Sequence, residues 1–247
     1  MTALLLSSLA AMAAGVSLQA TDGVTLHAVS TLASGARRGV IFVHMEGRSS
    51  ADWASLGERL SKNGLSSVAV DLRGHGQSSG ERDHAAMVND VTAAADHLAA
   101  SGVEELVCIG AEIGANLCLL AAGQDTRIQS AALLSPRLNP HGLNAPKAMQ
   151  AWPAGSVLTV ASTDDNSGSK CVDLLARVAG EERAEVVVLA DAGVGTQMLS
   201  RAPGLEGQLV EWLGSTTDLS AAVVGPRPDT TDNTTVEAEG EKLRTHQ

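Results

Sequence analysis

The chain has 247 residues, of which 44% are apolar, enough to build one sizeable core. A formal net charge of −11, with no cluster of Lys or Arg, argues against nucleic acid or an anionic membrane surface as partner. With one Phe and no Tyr, the core must be built from Leu, Val, Ile and Ala.

Taken from the N-terminus, "MTALLLSSLAAMAAG" is too short to span a bilayer. Residues 1–15 read either as a signal-like segment, with "AMA" as its cleavage site, or as an N-terminal helix packed on the domain. An extracytoplasmic and a cytoplasmic location are therefore both open. "VSLQATDGVTLHAV" (16–29) alternates around Asp22-Gly23 and predicts an antiparallel hairpin. "GVIFVHM" (39–45) is a continuous apolar strand, followed by a helix over 52–64. "SSVAVDLR" (66–73) is the next strand, and Met87, Val91, Ala95 and Leu98 share one face of a helix over 82–102. Strand 105–110 then meets a turn and the helix 113–122.

Strand 128–135, a loop rich in Pro and Asn, strand 156–162, helix 169–179, strand 185–190 and helix 205–213 complete the series. Strands without polar alternation, separated by helices, predict an α/β fold. Its sheet would be doubly wound and mostly parallel, with about eight strands in all. Residues 214–247 lose the large apolar residues and carry six acidic and three basic groups, a net −3. Such a segment is expected to stay disordered as an acidic tail. Cys108, Cys118 and Cys171 have no metal-like spacing and read as inert buried thiols.

"GAEIGAN" (110–116) has the shape of a nucleophile elbow, G-x-S-x-G, with Glu112 where a serine belongs. "VHMEGRSSADW", "VAVDLRGHGQSSG", "VASTDDNSG" and "LADAGVGTQML" accompany it in order. With these motifs, residues 16–213 resemble the alpha/beta-hydrolase family. The resemblance implies a lidless single-domain member whose triad positions read Glu112, Asp165 and Val194. It makes Met45, Glu46 and Ile113 the oxyanion-hole positions, and His44 and His75 structural histidines. Fifty-three residues between Glu112 and Asp165 hold only short strand–helix units, so no cap is expected and the site should be open.

That triad is degenerate. Glu112 cannot act as an acyl-transfer serine, and Val194 cannot accept a proton. Glu46 brings negative charge to the place where an oxyanion would develop. A carboxylate at a helix start is favoured by the backbone N–H groups and the dipole. Arg48 and Arg137, just past the ends of the flanking strands, are the expected ion-pair partners of Glu112. Glu46, Glu112, Asp164 and Asp165 could together face a divalent cation, but the reading assigns no metal and no cofactor. The leading expectation is a catalytically inactive scaffold or binding subunit whose partners are other protein subunits. A hydrolase with non-standard chemistry, using Glu112 or a relocated base such as His141, is the alternative. A small-molecule receptor using the open pocket is the third reading.

Overall fold

The computed structural model describes residues 12–223. Strands β1 (Ala13–Gln19) and β2 (Thr25–Thr31) form the hairpin, and β3 (Arg38–Val43) leads through a short 3-10 turn into α1 (Ala54–Lys62). Then come β4 (Ser66–Val70), α2 (Val88–Ala100), β5 (Glu105–Ala111), α3 (Ile113–Ala122), β6 (Ile128–Leu134) and α4 (Ala145–Ala151). The chain continues through β7 (Ser156–Ser162), α5 (Asn166–Ala179), β8 (Ala184–Leu189), α6 (Gln197–Arg201) and α7 (Leu205–Val223). The eight strands make one sheet in the order β1-β2-β4-β3-β5-β6-β7-β8. β1 pairs antiparallel with β2, and β2 antiparallel with β4; every later pairing is parallel.

The apolar strands are continuous because both faces of the sheet are covered. Ile41, Val43 and Cys108 face a core that Val91 and Leu98 of α2, Leu117 of α3, Met149 of α4 and Leu175 of α5 complete. Val40, Phe42 and Ile109 face the opposite core, closed by Leu56 and Leu60 of α1 and by Leu209 and Trp212 of α7. Trp53 stacks on Phe42 with ring centroids 5.0 Å apart.

Several boundaries differ from the sequence reading. Residues 13–15 are strand, paired with Val29–Thr31, so a helix cannot run to residue 15; residues 1–11 lie outside those described. The helix expected from residue 82 starts at Val88. Asp83 Oδ1 accepts hydrogen bonds from the backbone N–H groups of Ala85 and Ala86, and this local turn replaces the first helical turn. The Pro- and Asn-rich loop contains α4, capped by Asn144, whose side chain accepts from Lys147 N–H at 2.8 Å. The expected tail starts too early. α7 runs on to Val223, and half-buried Arg38 holds its course by donating to the Leu213 carbonyl and the Thr216 hydroxyl. Residues 224–247 lie outside those described.

The cysteines also depart from expectation. Cys108 of β5 and Cys118 of α3 form a disulfide, with Cα atoms 5.5 Å apart. Packing α3 directly on its preceding strand brings these two side chains together, which their spacing of ten residues does not reveal. Cys171 is a free, buried thiol, and burial pushes its pKa up to about 12.

Two glycines set the strand-to-helix turn. A Cβ on Gly110 would lie 2.3 Å from the Gly114 carbonyl oxygen, and one on Gly114 would lie 2.3 Å from the Val43 carbonyl oxygen. Both obstacles are backbone, so no side-chain rotation relieves them. Gly114→Ala should cost about 3 kcal/mol or more, or abolish soluble expression. Gly214→Ala, on the exposed part of α7 where a Cβ meets nothing within 4 Å, should stabilise by about 0.5–1 kcal/mol. Urea unfolding of the two variants checks the contrast.

Candidate functional site

The elbow is built at the C-terminal edge of the sheet, where open parallel sheets place their ligands. Glu112 has φ 52° and ψ −111°, a conformation that few L residues adopt. Its N–H donates to the Leu134 carbonyl at 2.8 Å, and its own carbonyl accepts from Ala115 N–H at 3.1 Å. The side chain therefore projects from a turn tied to β6 on one side and to α3 on the other.

The carboxylate folds back on its surroundings. Glu112 Oε2 accepts from the backbone N–H of Glu46 at 3.2 Å. Its other oxygen, Oε1, lies 3.8 Å from Arg137 Nε. Arg137 Nη1 also donates to both oxygens of Asp165, at 2.7 and 3.0 Å. Glu112, Arg137 and Asp165 thus form one ion-paired row. Burial opposes ionisation of Asp165, but Arg137, the Gly168 N–H and Ser135 outweigh it and hold the carboxyl below the usual carboxylate range.

Arg48 does not join this row. It forms a bidentate pair with Asp52, four residues on, whose other contact is the Thr196 hydroxyl. The short 3-10 turn before α1 brings Asp52 within easy reach, so Arg48 turns outward. Val194 makes no side-chain hydrogen bond; its N–H donates to Gln197 Oε1 at 3.2 Å. Its loop is held by Asp164 Oδ1, which accepts from Gly193 N–H, and by Ser135 Oγ, which accepts from Gly195 N–H. A Cβ on Gly195 would lie 3.4 Å from Ala111 Cβ and 2.9 Å from Met45 Sδ, so this loop and Met45 press against the elbow. Ile113 opens α3 and is buried.

His44 and His75 are buried. The His44 ring accepts from Leu72 N–H at Nε2 and faces the Met45 carbonyl at Nδ1; burial holds its pKa down. His75 faces the Arg73 carbonyl and Glu46. Asp71 accepts from Ser50 N–H and Gln77 N–H and meets His27, while Arg73 is paired with Asp90 and Asp22. The D-x-R-G-H-G stretch is therefore a polar framework under the β3–α1 loop.

Two features escaped the sequence reading. Asn116 on α3 is fully buried, and its amide donates to the Arg137 and Leu143 carbonyls, both at 2.7 Å, and accepts from Arg137 N–H at 3.0 Å. It fixes the loop that carries Arg137. An Asn inside an apolar helix, in "IGANLCLL", was the available signal. The second feature is a grouping of Glu46, His84 and His141, whose ligand-capable atoms all lie within 4.8 Å of one another. These three, rather than four carboxylates, have metal-ligand spacing among the described residues. An open cleft of about 430 Å³, lined by Gly15, Ser17, Leu26, His27 and Gln77 among others, lies over the hairpin and away from the elbow. Among the described residues, no helix is long and apolar enough to cross a membrane.

Arg137→Met should lower stability at neutral pH by leaving the buried Asp165 without its cation. The folded pKa of Asp165 is depressed, so the pairing stabilises fully above its ordinary value of 3.8 and is lost as pH falls through the lower folded value. Chemical denaturation across pH should therefore show wild type and variant converging below about pH 4. Asn116→Ala should cost about 2 kcal/mol, because two carbonyls and an N–H lose a buried partner.

Residues 40–162 match the family model described as alpha/beta hydrolase fold. The match runs from β3 to the end of β7, so it contains the elbow but neither Asp165 nor Val194. No curated protein matches the chain significantly. Among solved structures, it is similar to an esterase of Pyrococcus furiosus, with a TM-score of 0.68 and 17% identity over 87% of this chain and 95% of that one. It is similar also to a dienelactone hydrolase of Anabaena variabilis, with a TM-score of 0.66 and 18% identity over 85% and 98%. A thermophilic esterase of Thermogutta terrifontis has a TM-score of 0.67 and 17% identity over 83% and 99%. With its strand order, its strand-to-helix turn at Gly110–Gly114 and this match, the chain has the alpha/beta-hydrolase fold.

Proposed function

We propose that this protein is a catalytically inactive relative of the hydrolases that share its fold, and serves as a scaffold or binding subunit for other proteins. The observation that carries the reading is the seat of the Glu112 carboxylate. It accepts the Glu46 N–H, a donor that an oxyanion hole would reserve for the developing oxyanion of a substrate. A fixed negative charge occupies that donor, and Arg137 faces it from the other side.

The proton chemistry is missing as well. Asp165 would orient a histidine in an active triad, but here it binds Arg137, and the histidine position is Val194. Loss of nucleophile and base together removes the function of the whole triad, a loss of about a million-fold in turnover in a working serine hydrolase. The Cys108–Cys118 disulfide favours an oxidising compartment, in line with the signal-like reading of residues 1–15.

A second reading, a hydrolase with a relocated base, has one observation in its favour. His84 and His141 gather on Glu46, whose N–H touches the Glu112 carboxylate. A carboxylate can attack alkyl carbon, and a nearby imidazole could then activate water.

One set of assays separates the two. The wild-type protein should not hydrolyse p-nitrophenyl esters or small alkyl halides and epoxides above an empty-vector background, and should not take up a serine-directed fluorophosphonate. Glu112→Ser and Val194→His should each remain inactive alone, since one lacks a base and the other an acyl acceptor. Turnover by the wild type that disappears in Glu112→Gln would overturn the proposal and establish glutamate as a working nucleophile.

A further inference from the structure

The geometry points to a binding site for one divalent cation of borderline character, such as zinc or cobalt(II), formed by Glu46, His84 and His141. Three separate loops supply the ligands at the C-terminal edge of the sheet. Glu46 follows β3, His84 lies on the turn before α2, and His141 lies in the 3-10 turn after β6. Their ligand-capable atoms fall within 4.8 Å of one another. Two imidazoles and one carboxylate form a donor set that suits zinc and its neighbours and does not suit magnesium or calcium, which prefer oxygen.

The two carboxylate oxygens of Glu46 face different neighbours. Glu46 Oε1 is held by His75 Nε2 at 3.2 Å and by Arg82 Nη1 at 3.4 Å. Oε2 faces His84 Nε2 at 3.2 Å. His75 is buried and its other ring nitrogen is fixed by the Arg73 carbonyl at 3.0 Å, so it orients Glu46 as an outer partner of a metal ligand does.

One movement is required. The His84 and His141 rings are stacked, with centroids 3.8 Å apart and 6° between their planes. A metal lies in the plane of each imidazole that binds it, so parallel stacked rings cannot both point at one ion. His141 is exposed and can turn off the stack without disturbing the core. His84 is half-buried and already aimed at Glu46 Oε2. Three protein ligands would leave one tetrahedral position for water or an outside ligand. The inference does not depend on whether the elbow is active.

The test uses the full chain, purified without a histidine tag and stripped by a chelator. Cobalt(II) is titrated and followed by its visible d–d absorption, and zinc is titrated by calorimetry. One ion per chain is expected, with zinc displacing cobalt. Glu46→Gln, His84→Ala and His141→Ala should each weaken binding about tenfold or more. Circular dichroism and the unfolding midpoint confirm that each variant is folded. His141→Ala, being an exposed change, keeps the test valid if the other two misfold. Glu58→Gln on the exposed face of α1 should bind as wild type. No uptake of either ion, binding that survives His141→Ala unchanged, or tighter binding of magnesium or calcium than of cobalt would overturn the assignment.

Discussion

The close approach of three backbone segments around Gly110 and Gly114 is the constraint on which the site depends. A helix that starts directly after a central strand must reverse over a strand neighbour within a few ångströms. Here the space between Gly114 and the Val43 carbonyl, and between Gly110 and the Gly114 carbonyl, is smaller than any Cβ allows. With both positions vacant of side chains, α3 settles on β3 and β5, and Cys118 reaches Cys108. Of the three residues between the glycines, the middle one, Glu112, is then forced to a positive φ, with its side chain directed out of the turn. Whatever occupies position 112 is presented in the same place.

That placement decides how the charges distribute. A glutamate held at the start of α3 gains from the helix N-terminus, an effect of about 0.3–1 kcal/mol at an exposed site and up to about 2 kcal/mol where partly buried. The nearby Glu46 backbone N–H adds a charge-assisted hydrogen bond. Three acidic residues, Glu46, Glu112 and Asp165, still crowd one edge, and each is met by a cationic or imidazole partner. Arg137 serves Glu112 and Asp165, while His75, His84 and Arg82 serve Glu46. Arg137 does this with two different nitrogens of one planar guanidinium, Nη1 on Asp165 and Nε toward Glu112, a spread that the single nitrogen of a lysine would not reproduce.

Much of the fold was legible because it rests on local periodicity. Unbroken apolar strands such as "GVIFV" and amphipathic helices with Leu56 and Leu60 carry their burial in their spacing. The elbow was legible because its glycines answer a steric requirement. What stayed hidden depends on side chains meeting across the chain. Arg48 and Arg137 looked equivalent by strand position, yet Asp52 lies four residues from one and Asp165 faces the other only after β7 is laid beside β6. His84 and His141 are 57 positions apart, and nothing in either local sequence predicts a stack between them. The delayed start of α2 had a local cause in Asp83, but its apolar face reads equally well from residue 82.

The positive φ at Glu112 is commonly read as strain stored for catalysis. Here that inference fails on energetic grounds. The conformation is over-determined by packing: Glu112 N–H is bonded to Leu134, its carbonyl to the first turn of α3, and the flanking glycines leave no alternative path. A strain of about 1–3 kcal/mol is easily held by such contacts, whether or not a nucleophile sits there. The turn therefore holds with a glutamate at its tip, since the helix, the disulfide and the Asn116 clamp all depend on it. The elbow's geometry belongs to the fold, and its chemistry is set by what the side chain at its tip contacts.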